Sequence, residues 1–282
     1  MTGLLGNQAV IVPVPMRDPG VIYLDDPAPH RLPVARRVLD ATRHEPRTTP
    51  PTVVSRIDNL SLAGHCIPAG VRGEPIAGDF FDAFPLSGSQ VLIALGDVAG
   101  HGVGAARRMT LLRAATRRFA TDELSPAQVL RDLDEMQICG DADDIATLWL
   151  GMYDPATGML RYASAGHPPP VLAGIAGPPR LLSEATAPPL GTGVVGQHAT
   201  VDEIQLPVNA LLVAYSDGLV ERRGCNLDDQ LALLRALVER AYDPSLPDAT
   251  PENLVETILN VLVPDPATAR DDVCILVVRR EA

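Results

Sequence analysis

Between Gln90 and Phe119 the chain reads QVLIALGDVAGHGVGAARRMTLLRAATRRF, and this stretch restricts the fold more than any other. Val91 to Leu95 is a short apolar run, consistent with a buried strand. Glycines then punctuate GDVAGHG (Gly96 to Gly102), where the backbone must turn sharply and pack close to a neighbour. A helix is expected next, because Ala105, Met109, Leu112 and Phe119 fall on one apolar stripe and arginines fill much of the rest. A carboxylate, Asp97, and an imidazole, His101, therefore stand where a buried strand hands over to a helix. Such a junction suits chemistry if other reactive groups can reach it.

The flanking sequence reads mostly as strands and turns. Ser61 to Pro68 has strand character, and IAGDFFDAFPL (Ile76 to Leu86) leads through Ser87-Gly88-Ser89 into the buried strand, a hairpin signal. Ile145 to Tyr153 and Met159 to Ser164 form a second hairpin around DPATG (Asp154 to Gly158). It ends in AGHPPP (Ala165 to Pro170), whose prolines confine it to a loop or an edge. Ala210 to Ser216 is another buried strand, stopped by Asp217-Gly218, and the chain closes on Asp271-Asp272 and the strand Val273 to Arg279. Ser125-Pro126-Ala127-Gln128 is a capping-box start for a helix running to about Cys139. Further helices are expected over Leu227 to Tyr242 and over Leu254 to Val263, the latter behind Thr250 and Pro251. Hairpins outnumber βαβ units, so an α+β layered sandwich is expected rather than a doubly wound parallel sheet.

Length and charge narrow the function. A chain of 282 residues has ample core for one large domain or two small ones. Prolines recur through residues 1 to 50, and only Val34 to His44 looks helical there. Residues 1–54 are therefore read as an extension and linker, and 55–282 as the globular domain. A net charge of −12 argues against nucleic acid, whose phosphates would be repelled, and is compatible with carboxylates gathered around cations. The six histidines have no zinc spacing. Cys66, Cys139, Cys225 and Cys274 lie far apart without a CxxC pair, which suggests free thiols in a reducing cytosol. No apolar run could span a bilayer and no signal-peptide pattern opens the chain, so a cytoplasmic location without membrane attachment is expected.

Aspartates mark the strand ends: Asp79, Asp97, Asp217 and the pair Asp271-Asp272. Singly, an Asp beside Gly after an apolar strand is ordinarily a turn or a cap. Together they carry more weight, because each abuts a short aliphatic strand that a common core would gather. Oxygen-only donors in that number suit hard cations such as Mg²⁺ or Mn²⁺. The glycines of GHGVGA (Gly100 to Ala105) imitate a dinucleotide fingerprint, but no second parallel strand ends in an acid about twenty residues on. There is no P-loop and no GxSxG.

Six motifs occur in a fixed order: AGDFFD (Ala77 to Asp82), GDVAGHG with its helix, DIATLWLGMYDPATGMLRYASAGHPPP (Asp144 to Pro170), PPLG (Pro188 to Gly191), YSDGLVERR (Tyr215 to Arg223) and RDDVCILVV (Arg270 to Val278). In this order they resemble the SpoIIE-like branch of the PPM-type metal-dependent serine/threonine phosphatases, over about Leu60 to Arg280. The resemblance implies two antiparallel β-sheets in a sandwich, flanked by helices, with two Mn²⁺ or Mg²⁺ ions in a cleft at one end. Carried over residue by residue, it makes Asp79, Asp97, the Val98 carbonyl, Asp217 and Asp271 the metal ligands. Water activated between the ions would attack phosphorus in line. His101 would act as general acid or hold its loop, and His167 would be structural. The chain departs from the family pattern at Ala77, where a glycine is usual, and at Cys274, where Thr or Ser is usual. A phosphate-binding arginine has no clear counterpart.

The implied activity is a metal-dependent phosphatase acting on phosphoserine or phosphothreonine of a regulatory protein, in this branch an anti-sigma-factor antagonist. The alternative is a non-catalytic binding module of the same fold, against which the intact aspartates argue; a small-molecule phosphohydrolase stays open. A homodimer is compatible with either reading. The arginine-rich helix, with Arg107, Arg108, Arg113, Arg117 and Arg118, is either a solvated face paired with acids such as Asp122 and Glu123 or a docking face for an acidic phosphoprotein.

Overall fold

A computed structural model describes residues 22–23, 53–69, 77–100, 102–136, 145–174, 177–192, 194–222, 224–242, 250–266 and 269–282. The helix expected over Val34 to His44, the imidazole of His101 and the helix end near Cys139 lie outside these residues.

Two sheets form the body. One contains β1 (Ile22–Tyr23), β2 (Val53–Ile57), β3 (Leu60–Ile67), β13 (Val273–Arg280), β12 (Leu211–Tyr215), β8 (Val171–Ala173) and β9 (Arg180–Leu181), adjacent in that order. The other runs β10 (Thr186–Ala187), β7 (Met159–Ala165), β6 (Ala146–Asp154), β5 (Val91–Val98) and β4 (Phe80–Pro85), and β11 (Asp202–Gln205) also pairs with β7. Every pairing is antiparallel except β1 with β2 and β10 with β7. Helices α1 (Gly102–Phe119) and α2 (Pro126–Glu135) cover the second sheet, and α4 (Leu227–Ala241) and α5 (Pro251–Leu262) cover the first; α3 (Val195–His198) is a single short turn near α2. The expected α+β sandwich is the fold.

The central strands read as unbroken apolar runs because both of their faces are buried. On β5, Val91, Ile93 and Leu95 point between the sheets with Trp149 and Tyr162, while Leu92, Ala94 and Val98 point towards α1 and α2. On β12, Leu212 and Ala214 face the same interior, while Leu211, Val213 and Tyr215 pack under α4 and α5. Burying one such aliphatic side chain stabilises the fold by about 1.5–3 kcal/mol. The helix starts follow the capping residues: Ser125 and Gln128 form a reciprocal capping box on α2, Asn226 caps α4 and Thr250 caps α5.

Two expectations need correction. Cys66 and Cys274 are not separate free thiols: they sit opposite one another on β3 and β13, with Cα atoms 4.1 Å apart, and are joined as a disulfide. The antiparallel register brings together cysteines 208 residues apart. Cys225 is free and exposed. Nor does α1 pair with Asp122, whose carboxylate accepts the Gly88 and Gln90 main-chain N–H groups and closes the β4–β5 turn. Arg113 and Arg117 instead clasp Asp82 on β4, and Arg117 also lies over the Phe84 ring, 4.4 Å from its centroid. Arg107 and Arg118 remain on the exposed side of the helix.

Candidate active site

The aspartates meet because of strand register. Phe80 pairs with Gly96, so Asp79, just ahead of β4, lies beside Asp97 near the end of β5. In the facing sheet Tyr215 pairs with Ile275, and the Ser216 N–H donates to the Cys274 carbonyl at 2.9 Å. Asp217, which opens a 3₁₀ turn (Asp217–Leu219), is thereby brought beside Asp271. One residue links the two pairs. The Asp272 carboxylate accepts the Gly78 N–H at 2.5 Å and the Ala69 N–H at 2.6 Å.

Two glycines permit this approach. A Cβ on Gly78 would stand 2.7 Å from the Val98 carbonyl oxygen, and one on Gly218 would collide with the Asp272 carbonyl oxygen. Any larger residue would push the segments carrying the aspartates apart. The turn after β5 is fixed by its own bonds: the Ala99 N–H donates to the Ile145 carbonyl, and the Ala99 carbonyl accepts Arg108 Nη2 at 2.9 Å.

Electrostatically, the cluster is frustrated. Burial raises the Asp79 carboxyl well above the usual range and the neighbouring Asp97 charge adds to it, while a hydrogen bond from Ser216 opposes them. Asp79 Oδ2 is buried without a hydrogen-bond partner. Burial, with the charges of Asp217, Asp271 and Asp272, pushes Asp97 up to about 6, although its hydrogen bond with Asp79 works the other way. Burial and then Asp271 raise Asp217. Burial also raises Asp272, against the hydrogen bonds from Ala69 and Gly78. Carboxylates that disfavour one another's ionised form are relieved by a multivalent cation. Hard oxygen donors with one buried oxygen unsatisfied fit Mg²⁺ or Mn²⁺. Among the described residues, however, no three His, Cys, Asp or Glu side chains already surround a common point as a metal-ligand set. The acids are gathered but not focused.

Sequence reasoning passed over several residues of this region. Ser216, fully buried, takes the Cys274 N–H at 2.8 Å, and its hydroxyl favours the ionised form of Asp79. Thr147 stands directly across the ladder from Asp97 and bonds His167 Nδ1 at 2.7 Å. Burial drives His167 down to about 3, so its imidazole is neutral, as suits the structural role expected for it. Asp82 is buried like Asp79 but has the opposite character. Burial alone would raise its carboxyl, yet the charges and hydrogen bonds of Arg113 and Arg117 outweigh it and hold Asp82 below the usual carboxylate range. The two acids of AGDFFD therefore divide their work, one facing the cluster and one anchoring α1.

Two helix-flanked antiparallel sheets in this arrangement are the α+β sandwich of the PPM phosphatases. The family described as stage II sporulation protein E (SpoIIE) matches residues 87–281, and the chain belongs to it, within the SpoIIE/RsbU/RsbX-like branch of the PPM-type serine/threonine phosphatase superfamily. The phosphoserine phosphatase RsbU of Bacillus subtilis is 25% identical over 82% of this chain and 66% of its own length. The phosphoserine phosphatase RsbP of Bacillus subtilis is 28% identical over 55% of this chain and 40% of its own. Protein IcfG of Synechocystis is 28% identical over 52% of this chain and 27% of its own. The chain thus spans between 27% and 66% of the length of these curated relatives. Among solved structures, the RsbU and RsbW domains of Rv1364c from Mycobacterium tuberculosis superpose with a TM-score of 0.70 at 29% identity, covering 80% of this chain and 61% of that one. The SiaA-PP2C domain of Pseudomonas aeruginosa, at 22% identity, shares the fold with a TM-score of 0.60, over 77% of this chain and 85% of its own. Among the described residues no helix is long and apolar enough to cross a membrane.

Proposed function

We propose that residues 55–282 form a metal-dependent protein phosphatase that hydrolyses phosphoserine or phosphothreonine on a regulatory protein of the anti-sigma-factor antagonist type, with residues 1–54 as an extension whose described residues, Ile22–Tyr23, Val53 and Val54, add to its first sheet. The observation that carries this reading is the convergence of Asp79, Asp97, Asp217 and Asp271 from four strand ends, with burial and like charge raising three of them. The names of the relatives RsbU and RsbP, both phosphoserine phosphatases, support the substrate class.

Asp79, Asp97, Asp217, Asp271 and the Val98 carbonyl would hold two Mn²⁺ or Mg²⁺ ions. When bound, such ions supply Lewis-acid polarisation of the phosphoryl group and a nucleophilic water at neutral pH. The chain's own part is orientation. Ser216 directs Asp79, Gly78 and Gly218 let the carboxylate segments close on one another, and Arg108 fixes the turn that presents the Val98 carbonyl. His101, next in sequence after that turn, would act as general acid or hold the loop.

Phosphate release from a phosphorylated protein, with Mn²⁺ and then with excess EDTA, tests the reading. Release that needs the metal and disappears in Asp97→Asn supports it. Tight binding of the phosphoprotein without release would favour the non-catalytic module, and release from small phosphate esters alone would favour a small-molecule phosphohydrolase.

A further inference from the structure

The Asp271-Asp272 pair is two different residues in one motif. The Asp271 side chain accepts the Asp272 N–H at 3.0 Å and its charge reaches Asp217 and Asp97. The Asp272 charge also reaches Asp79 and Asp97, but its side chain is held by main-chain donors. Its Oδ1 accepts Ala69 N–H and its Oδ2 accepts Gly78 N–H, and the Asp79 N–H is also close enough to favour its ionised form. One donor follows β3 and the other precedes β4, so one carboxylate ties the end of a strand in the first sheet to the start of a strand in the second. The Asp272 carbonyl meanwhile lies against Gly218, in the turn that begins with Asp217.

We propose that Asp272 is a positioning residue: it clamps Ala69 and Gly78 and so fixes Asp79 relative to the acids of the facing sheet, without itself binding metal. Each of its oxygens accepts one main-chain N–H, at 2.6 and 2.5 Å, and the backbone sets the orientation of the carboxylate. Asp79 is held between the clamped Gly78 and Phe80, the first ladder residue of β4, so the clamp is its support on the side away from the sheet. Loss of the clamp therefore loosens Asp79 first. Outer partners of this kind usually change metal affinity about 10- to 100-fold when removed. The affinity part of this inference rests on the metal-dependent reading above, whereas the clamp itself does not.

Amide hydrogen exchange, followed by NMR in metal-free protein, tests the clamp. In the wild type the Ala69 and Gly78 amides are expected to be protected; rapid exchange at both would overturn the proposal. In Asp272→Asn both should exchange about tenfold faster or more, because a charge-assisted acceptor is lost from each or turned into a donor. Unchanged protection would overturn it equally. If Asp272→Asn does not fold, Asp272→Glu, which keeps the charge but moves it by one methylene, decides the same question.

Calorimetry with Mn²⁺ then separates positioning from ligation. A positioning role predicts weaker Mn²⁺ binding with unchanged stoichiometry, and turnover that returns at saturating Mn²⁺. Loss of one ion from the stoichiometry, with turnover not restored, would make Asp272 a ligand and overturn the proposal. A wild type that binds no Mn²⁺ would refute the metal-dependent reading, while the exchange measurement would still decide the clamp.

Discussion

Arg113 Nε lies 3.0 Å from Asp82 Oδ2, joining the helix that leaves the candidate site to the strand that begins at it. Arg117 completes the clasp at 2.5 Å from Asp82 Oδ1. Breaking a buried pair by removing one partner costs up to about 3–5 kcal/mol, and less where the charge left behind can reach water, as Arg113 and Arg117 partly can. Asp82→Ala should therefore lower the urea midpoint strongly, whereas Arg118→Ala, on the exposed side of the same helix, should stay within about 0.5 kcal/mol of wild type.

The same clasp fixes the acid side of the stability profile. Asp82 has a folded pKa below its unfolded value, so its contribution is complete above the unfolded pKa and is lost as pH falls through the folded one. Wild-type stability should begin to drop below about pH 4, the unfolded carboxylate value. Denaturation series from pH 6 to pH 2.5 should show a shallower drop in Asp82→Asn than in wild type. Parallel profiles would mean that other acids govern acid unfolding.

Metal should stabilise the folded chain. The acids are gathered by folding, and cations that bind only the folded state add about 2.7 kcal/mol at a hundred times Kd. Mn²⁺ is expected to raise the melting temperature of wild type and to do so much less in Asp97→Asn. In EDTA the variant should melt at or above the wild-type temperature, because it removes one of the mutually repelling charges. An equal Mn²⁺ shift in both proteins would place the bound metal elsewhere.

The sequence showed the strands and the acids at their ends because both are local signals: an aliphatic run, then Asp and Gly. It could not show what those acids touch. Asp82 and Asp79 are alike as letters, and only the packing of α1 on β4 separates an anchored acid from an unsatisfied one. Asp122 stood next to the arginine-rich helix in sequence, yet the β4–β5 turn supplies closer donors, its free N–H groups. Cys66 and Cys274 needed the β3–β13 register to meet. Ser216 was read as a strand end, and nothing local marks its hydroxyl as the group placed between β13 and Asp79.

Leu95 tests the interior. It is fully buried between the sheets, opposite Trp149, with Asp97 two residues further along the strand. Leu95→Ala should cost about 2–5 kcal/mol through lost burial and the cavity left behind. Activity per folded molecule should change far less than the denaturation midpoint. A large loss of turnover at full folding would mean that strand β5 shifts and carries Asp97 with it.

The exposed side of α1 is either a solvated face or the docking face for a protein substrate, and the clasp at Asp82 changes which residues test it. Arg113 is occupied, so its reversal would damage the fold and report nothing about docking. Arg107 and Arg118 are exposed, in line with the exposed Val103 and Leu111 along a helix that starts at the GDVAGHG turn. In a chain of net charge −12, two accessible arginines beside apolar side chains suit an acidic phosphoprotein. Arg107→Glu should slow turnover of the protein substrate and flatten its dependence on salt, because such charges act mainly on encounter. Hydrolysis of p-nitrophenyl phosphate, which needs no docking surface, should be nearly unchanged. Equal losses on both substrates would assign Arg107 to the fold or the site, and an unchanged rate on the protein substrate would leave it a solvated arginine on an open helix face.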